Sequence, residues 1–172
     1  LAEYRGYGMS TGAPALTAML GDVERIIAAI DQSPEKLVFF GRSVGSLYAI
    51  HAAYHAPEAA GLILESGIAD PLERLLLRVE PRELGVTLAD IEAAVARDLD
   101  HRAKLSHFKG TSLVMHTRHD GLVDLTHGER LYQWTAQPKT LKIFERGNHN
   151  SILMVNQQEY FQTVQDFLES LP

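Results

Sequence analysis

Apolar residues along the chain fall into two kinds of pattern. Between residues 16 and 30 they recur at three- and four-residue spacing, which predicts a helix with one buried face. Short runs that are apolar throughout, such as "LVFF" at 37–40, predict buried strands. Further strands are predicted at 61–66, 112–117 and 140–145, and further helices at 44–56, 125–135 and about 152–170. This alternation predicts an α/β fold, a mostly parallel sheet with helices on both faces.

The stretch from about 68 to 108 interrupts the alternation. Two helical patterns, "DPLERLLLRV" and "TLADIEAAVARDL", follow each other there without a strand between them. Thr87 and Asp90 open the second with the spacing of a capping box. An insert of this kind normally lies above the ends of the strands. We therefore expect a short helical lid insert within a single domain covering residues 1–172.

Composition narrows the class of protein. A chain of 172 residues with 45% hydrophobic and 22% charged residues is typical of one globular domain. The net charge of −6 argues against sequence-independent nucleic-acid binding, and no apolar run approaches the length of a membrane span. The absence of cysteine excludes disulfides, thiolate metal sites and cysteine nucleophiles. The chain begins with Leu1, so we expect the natural protein to begin upstream, and we expect a cytoplasmic location.

The motif "GRSVG" at 41–45 lies where a buried strand is predicted to turn into a helix. A turn this tight brings backbones close together, and glycines two residues before and after Ser43 remove side chains that would clash. The serine is thereby exposed at the carboxyl edge of the sheet, beside the backbone N–H of Val44 and the positive end of the following helix. This arrangement suits a nucleophile whose attack creates an oxyanion.

A serine nucleophile needs a base and an acid that orients the base. His149, in "FERGNHNSIL", follows a predicted strand and precedes the last helix, where a parallel sheet gathers its functional groups. Asp120 lies just past the end of the preceding strand. The chain order Ser43, Asp120, His149 is the nucleophile–acid–base order of the α/β-hydrolases.

These residues carry a resemblance to the α/β-hydrolase superfamily, and most of all to small abhydrolase-domain serine hydrolases of the serine-aminopeptidase-like and depalmitoylase-like branch. The similar segments are "YRGYGMSTG", "GRSVGSLYA", "GLILESG", "HTRHDGLVDLTHGERLY" and "GNHNSI". The resemblance implies that Ser43 is the nucleophile, Asp120 the acid and His149 the base, with the Val44 N–H as one oxyanion donor. It implies hydrolysis of a small acyl substrate, an ester or thioester, without a cofactor or metal. A peptidase-like amide hydrolase is the alternative.

The chain departs from the family pattern at two points. Asp124 stands where the family usually has proline, so Asp124 is a second candidate for the acid, and Glu65, at the end of a neighbouring strand, is a third. The family's N-terminal strands are missing from residues 1–172, together with the loop that donates the second oxyanion N–H. We therefore expect the sheet to lack an internal strand and to leave two rows of backbone groups unpaired.

Three other interpretations compete with this one. A cluster of polar residues close together in the sequence could form a divalent metal site, although such a site would not account for the "GRSVG" motif or for His149. The residues of this cluster are His116, His119, Asp120, Asp124 and His127. Arg42 could bind a substrate carboxylate or form a structural salt bridge. Finally, the domain could be a non-catalytic binding module, which the presence of Ser43, Asp120 and His149 disfavours.

Overall fold

A computed structural model describes residues 3–172 of the chain. The strands are β1 (Val38–Arg42), β2 (Gly61–Glu65), β3 (Thr111–Thr117) and β4 (Lys139–Phe144). The helices are α1 (Ala18–Ala29), α2 (Gly45–His55), α3 (Pro71–Leu76), α4 (Leu88–Asp98), α5 (His101–Ser106), α6 (Leu125–Trp134), α7 (Ile152–Val155) and α8 (Gln157–Glu169). Each strand and helix predicted from the apolar pattern is present, and the predicted C-terminal helix is divided at Asn156.

The four strands form one parallel sheet in the order β1-β2-β3-β4. At its carboxyl edge the register pairs Arg42 with Glu65, and Glu65 with Met115. The loops that follow β1, β3 and β4 therefore leave the sheet at the same edge. This common edge is where the predicted functional residues Ser43, Asp120 and His149 are located.

The expectation of a missing internal strand is wrong. Within residues 38–144 the four strands pair in sequence order without a gap, so two unpaired rows do not occur inside the sheet. The described residues form no strand before β1, so no strand stands apart from the other four with a gap between them. The open position lies instead beside β1, an edge strand of this sheet on which Phe40 is half exposed.

Helices cover both faces of the sheet, which confirms the predicted α/β class. Along β2 the side chains alternate between two apolar clusters, with Leu62 and Leu64 on one face and Ile63 on the other. The first face packs against α2, α5 and α6, and α1 packs against α2. The second face packs against α7 and α8 through Ile152, Tyr160 and Phe167.

The predicted insert is helical in the structure. Helix α4 begins with the expected capping box, in which Thr87 Oγ1 accepts from Asp90 N at 3.2 Å and Asp90 Oδ2 accepts from Thr87 N at 2.9 Å. A further helix, α5, follows α4 within the same stretch. The role of the insert as a lid stays a prediction. Within residues 3–172, no helix has both the length and the apolar character needed to cross a bilayer.

Candidate active site

Ser43 occupies a strained turn between β1 and α2. Its φ is 51°, a left-handed backbone conformation that residues with a side chain rarely adopt. Gly41 makes the turn possible, because a Cβ there would lie 2.6 Å from Ala49 Cβ and 2.7 Å from the Gly45 carbonyl oxygen. Gly45 is different, since a Cβ at that position would meet no heavy atom within 4 Å. Of the two glycines flanking Ser43, only Gly41 is required by the contacts of the described residues.

The Val44 N–H adjoins the Ser43 side chain in sequence and lies at the start of α2. No hydrogen bond among residues 3–172 uses this N–H, as is usual for the first donors of a helix. The same helix end carries the positive side of the helix dipole. The position therefore has a free donor for an anionic oxygen formed next to Ser43.

Ser43, His149 and Asp120 form a continuous hydrogen-bonded chain. His149 Nε2 lies 2.9 Å from Ser43 Oγ, and His149 Nδ1 lies 2.8 Å from Asp120 Oδ2. His149 and Asp120 are both buried. The residues come from three loops at the carboxyl edge of the sheet, separated in sequence by 106 and 29 positions. The structure thus brings together the three side chains that the sequence singled out.

The environment of Asp120 keeps it ionised. Burial on its own would raise the pKa of this carboxyl group, but the hydrogen bonds that Asp120 accepts outweigh burial and hold the pKa below its ordinary value. The donors are the Val123 N–H, His149 and the Leu122 N–H, with both backbone bonds to Oδ1 at 2.9 Å. Oδ2 faces His149 Nδ1 at 2.8 Å, with His116 Nε2 farther away at 3.5 Å. A fixed carboxylate at Nδ1 selects the tautomer in which Nε2 can accept a proton from Ser43.

The two other candidate acids have different partners. Asp124 caps helix α6, where its Oδ1 accepts from the Thr126 N–H at 3.0 Å and from the Thr126 hydroxyl at 2.7 Å. The Glu65 carboxylate binds Arg42 and Tyr160. Neither Asp124 nor Glu65 bonds to His149 in the part of the chain that the structure describes.

The histidines considered for a metal site are dispersed among separate hydrogen bonds. His116 Nε2 donates to the Val123 carbonyl at 2.9 Å, whereas His127 Nδ1 accepts from the Ala69 N–H at 3.0 Å. His119 is exposed. The residues of the possible metal cluster are therefore close in sequence, but His116 and His127 are hydrogen-bonded to different backbone groups.

Another group with metal-ligand chemistry lies between α1 and α2. Glu24 Oε1 is 2.9 Å from His51 Nε2 and 3.4 Å from His55 Nε2. Lys104 Nζ lies 2.8 Å from His51 Nδ1. A metal-bound imidazole needs a hydrogen-bond acceptor at that position rather than a cation. The group is better described as a hydrogen-bonded cluster joining α1, α2 and α5.

Apolar side chains line a cavity of about 220 Å³ between the start of α1 and helices α3 and α4. Its apolar lining comes from Leu16, Leu75, Val86, Ile91, Val95 and Leu99, among others. On the same insert, Leu77 is 64% exposed and Leu84 is 50% exposed. The insert thus combines an apolar cavity with exposed apolar side chains.

Known proteins with similar sequences or structures support the fold assignment. No protein-family model matches the chain. In sequence the chain is similar to alpha/beta hydrolase domain-containing protein 17B of Homo sapiens, with 23% identity over 171 positions, covering 96% of this chain and 54% of the relative. It is also similar to alpha/beta hydrolase domain-containing protein 17C of Mus musculus, with 25% identity over 171 positions, covering 96% of this chain and 49% of the relative. The chain spans about half the length of these relatives.

A solved structure has the same arrangement of elements. The esterase EaEST from Exiguobacterium antarcticum superposes with a TM-score of 0.69 at 19% sequence identity, covering 98% of this chain and 80% of the esterase. The likeness extends over the sheet and the helices on both of its faces. The chain therefore has the fold of the α/β-hydrolase superfamily, and its sequence resembles the abhydrolase domain-containing proteins within that superfamily.

Proposed function

We propose that the protein is a serine hydrolase that cleaves carboxylic esters or thioesters through an acyl-enzyme intermediate. The observation that carries the proposal is the hydrogen-bonded chain from Ser43 Oγ through His149 to Asp120. The names of similar proteins, which include hydrolases and an esterase, support the same class.

The first half of the reaction forms the acyl-enzyme. His149 Nε2 takes the proton of Ser43 as Oγ attacks the substrate carbonyl carbon, and Asp120 stabilises the imidazolium that results. The carbonyl oxygen becomes an oxyanion, which the Val44 N–H stabilises as one donor. Collapse of this intermediate breaks the bond to the alcohol or thiol, which leaves with the proton held on Nε2. The acyl group remains on Ser43.

The second half releases the acid. A water molecule gives a proton to His149 Nε2 and attacks the acyl carbon, and the proton then returns to Ser43 Oγ as the carboxylic acid departs. Exposed leucines of the insert, such as Leu77 and Leu84, favour an acyl substrate with an apolar chain.

A substrate panel on the complete protein tests the proposal. The panel compares p-nitrophenyl acyl esters of increasing chain length, acyl thioesters and aminoacyl p-nitroanilides, each with wild type and with Ser43→Ala. We expect turnover of esters or thioesters, with a burst of the leaving group, and a fall in kcat of up to about 10⁶ in the variant. Turnover confined to the anilides would favour the peptidase-like alternative. An inert wild type that also fails to react with a fluorophosphonate would favour a binding module.

A further inference from the structure

Arg42 lies between Gly41 and the serine, and its side chain reaches the loop that carries His149. Its Nη2 donates to the backbone carbonyl of His149 at 2.5 Å, and its Nε donates to Glu65 Oε1 at 2.8 Å. A longer contact of 3.5 Å joins Nη2 to Asn150 Oδ1. The residue next to the candidate nucleophile therefore holds the backbone of the candidate base, across 107 positions of sequence.

Glu65 is the fixed support for this arginine. It lies opposite Arg42 in the register of β1 and β2, and the residue is only 3% exposed. Both carboxylate oxygens are used, Oε1 by Arg42 and Oε2 by the Tyr160 hydroxyl at 2.6 Å. Burial and the hydrogen bond to Glu65 raise the pKa of Tyr160, so its hydroxyl stays a donor. A buried carboxylate with every partner in place holds the guanidinium in one orientation.

Apart from the bonds of the His149 ring itself and the exposed pair of Glu145 with Arg118, the remaining side-chain bonds of the His149 loop are local. Asn148 Oδ1 accepts from the Asn150 and Ser151 N–H groups at 3.0 and 3.2 Å, and Asn156 Nδ2 donates to the Arg146 carbonyl at 2.9 Å. These bonds shape the loop but do not connect it to β1. The bond from Arg42 makes that connection, because it ends on the residue adjacent to Ser43.

We propose that Arg42 is a positioning residue, which holds the His149 loop against the Ser43 turn through the relay Tyr160–Glu65–Arg42. This inference rests on the proposed function and explains how the 2.9 Å contact between His149 Nε2 and Ser43 Oγ is maintained. A shift of the loop by about 1 Å would break that hydrogen bond, and displacements of this size cost about 10²-fold in rate. Because two donors of the guanidinium are already bonded to protein, binding a substrate carboxylate is the weaker role for Arg42.

Kinetics of Arg42 variants test the proposal, with the complete protein and the uncharged substrate p-nitrophenyl acetate. For Arg42→Met we expect kcat to fall about 10- to 100-fold while KM changes by less than about twofold. Arg42→Lys keeps the positive charge, but a lysine cannot bond Glu65 and the His149 carbonyl at once as the planar guanidinium does. We therefore expect its kcat to lie between those of Arg42→Met and the wild type. The matched control is Arg118→Met, since Arg118 also pairs with a carboxylate, Glu145, beyond the ends of neighbouring strands. Its kcat should stay near the wild-type value.

A double-mutant cycle tests the relay itself. Tyr160→Phe removes one hydroxyl, and we expect kcat to fall a few-fold in the wild-type background. In the Arg42→Met background the same change should have no further effect, because the relay is already interrupted. If Arg42→Met lacks a cooperative thermal transition, Tyr160→Phe and Arg42→Lys decide the question, since both keep the packing of the wild type.

Several results would overturn the inference alone. One is an unchanged kcat in Arg42→Met, and another is full additivity of the kcat losses of Arg42→Met and Tyr160→Phe. A third is that Arg42→Met raises KM only for a p-nitrophenyl ester that carries a free carboxylate. The last result would make Arg42 a substrate-binding residue. A wild type that neither hydrolyses p-nitrophenyl acetate nor reacts with a fluorophosphonate would overturn the proposed function, and this inference with it.

Discussion

His101 is expected to make the domain sensitive to acid. The side chain begins helix α5, is 2% exposed, and neither ring nitrogen has a hydrogen-bond partner. Burial, together with the nearby positive charge of Lys104, lowers the pKa of His101 from its ordinary 6.5 to about 3. The imidazole is therefore neutral in the folded protein at any pH where the protein is used.

The sign and size of the effect follow from proton linkage. Because the folded-state pKa is the lower one, the unfolded chain binds more protons than the folded chain between pH 3 and 6.5, and the free energy of unfolding decreases as the pH is lowered through that window. At pH 5, protonation of the unfolded state costs about 2 kcal/mol, and the complete loss below pH 3 is about 5 kcal/mol. Whole-domain stability is about 5–15 kcal/mol, so this one side chain matters.

The variant His101→Leu removes the titrating ring and the two unpartnered nitrogens. At pH 8 we expect it to be at least as stable as wild type, because no buried polar atom loses a partner. At pH 5 its advantage should increase by about 2 kcal/mol. The assay is urea unfolding of the complete protein at both pH values, followed by far-UV circular dichroism.

A control separates His101 from the other histidines. His119 is exposed, so His119→Leu should leave the difference between pH 8 and pH 5 as in wild type. Burial also lowers the pKa of His51, His116 and His127, and these groups keep some acid sensitivity in every variant. An equal difference between the two pH values in wild type and His101→Leu would refute the reasoning.

Two further predictions concern the candidate site. Asp120→Asn should lower kcat by about 10⁴ through the wrong imidazole tautomer, whereas Asp124→Ala should leave kcat near wild type and cost only about 1 kcal/mol of stability as a lost helix cap. The reverse ranking in an esterase assay would make Asp124 the acid. Gly41→Ala should lower the free energy of unfolding by a few kcal/mol, while Gly45→Ala, in open space within α2, should be neutral or slightly stabilising in thermal melts. Equal tolerance at both positions would contradict the steric account of the turn.

The sequence alone was sufficient to predict the strands and helices whose local pattern determines their conformation. Buried strands such as 61–65 are apolar throughout, and α4 has a capping box at its start, so local pattern and tertiary structure agree. The distance between His149 and Ser43 could not be read from sequence, but the edge at which both emerge could. Parallel strands deliver their carboxyl ends to one edge, which is why three residues far apart in sequence could be grouped.

Other features depended on contacts that the sequence does not specify. The sequence could not show the hydrogen-bond partners of the three candidate acids, namely that Asp124 caps α6 and that Glu65 is bonded on both oxygens. The salt bridge that was one of the two possible roles of Arg42 likewise depends on the register, which places Arg42 opposite Glu65. The expected internal gap was wrong because the described residues form no strand before β1, so the open position lies at an edge of the sheet rather than inside it.

The most direct test of the central claim is covalent labelling of the complete protein with a fluorophosphonate, followed by mass mapping of the adduct. We predict one adduct on the peptide that contains Ser43, with labelling lost in Ser43→Ala and nearly abolished in His149→Ala, because the hydroxyl is unreactive without its base. Two other serines lie nearby: Ser46, which bonds to the Ser43 carbonyl, and Ser66, which is buried. An adduct on either of them, or labelling that persists in Ser43→Ala, would contradict the account.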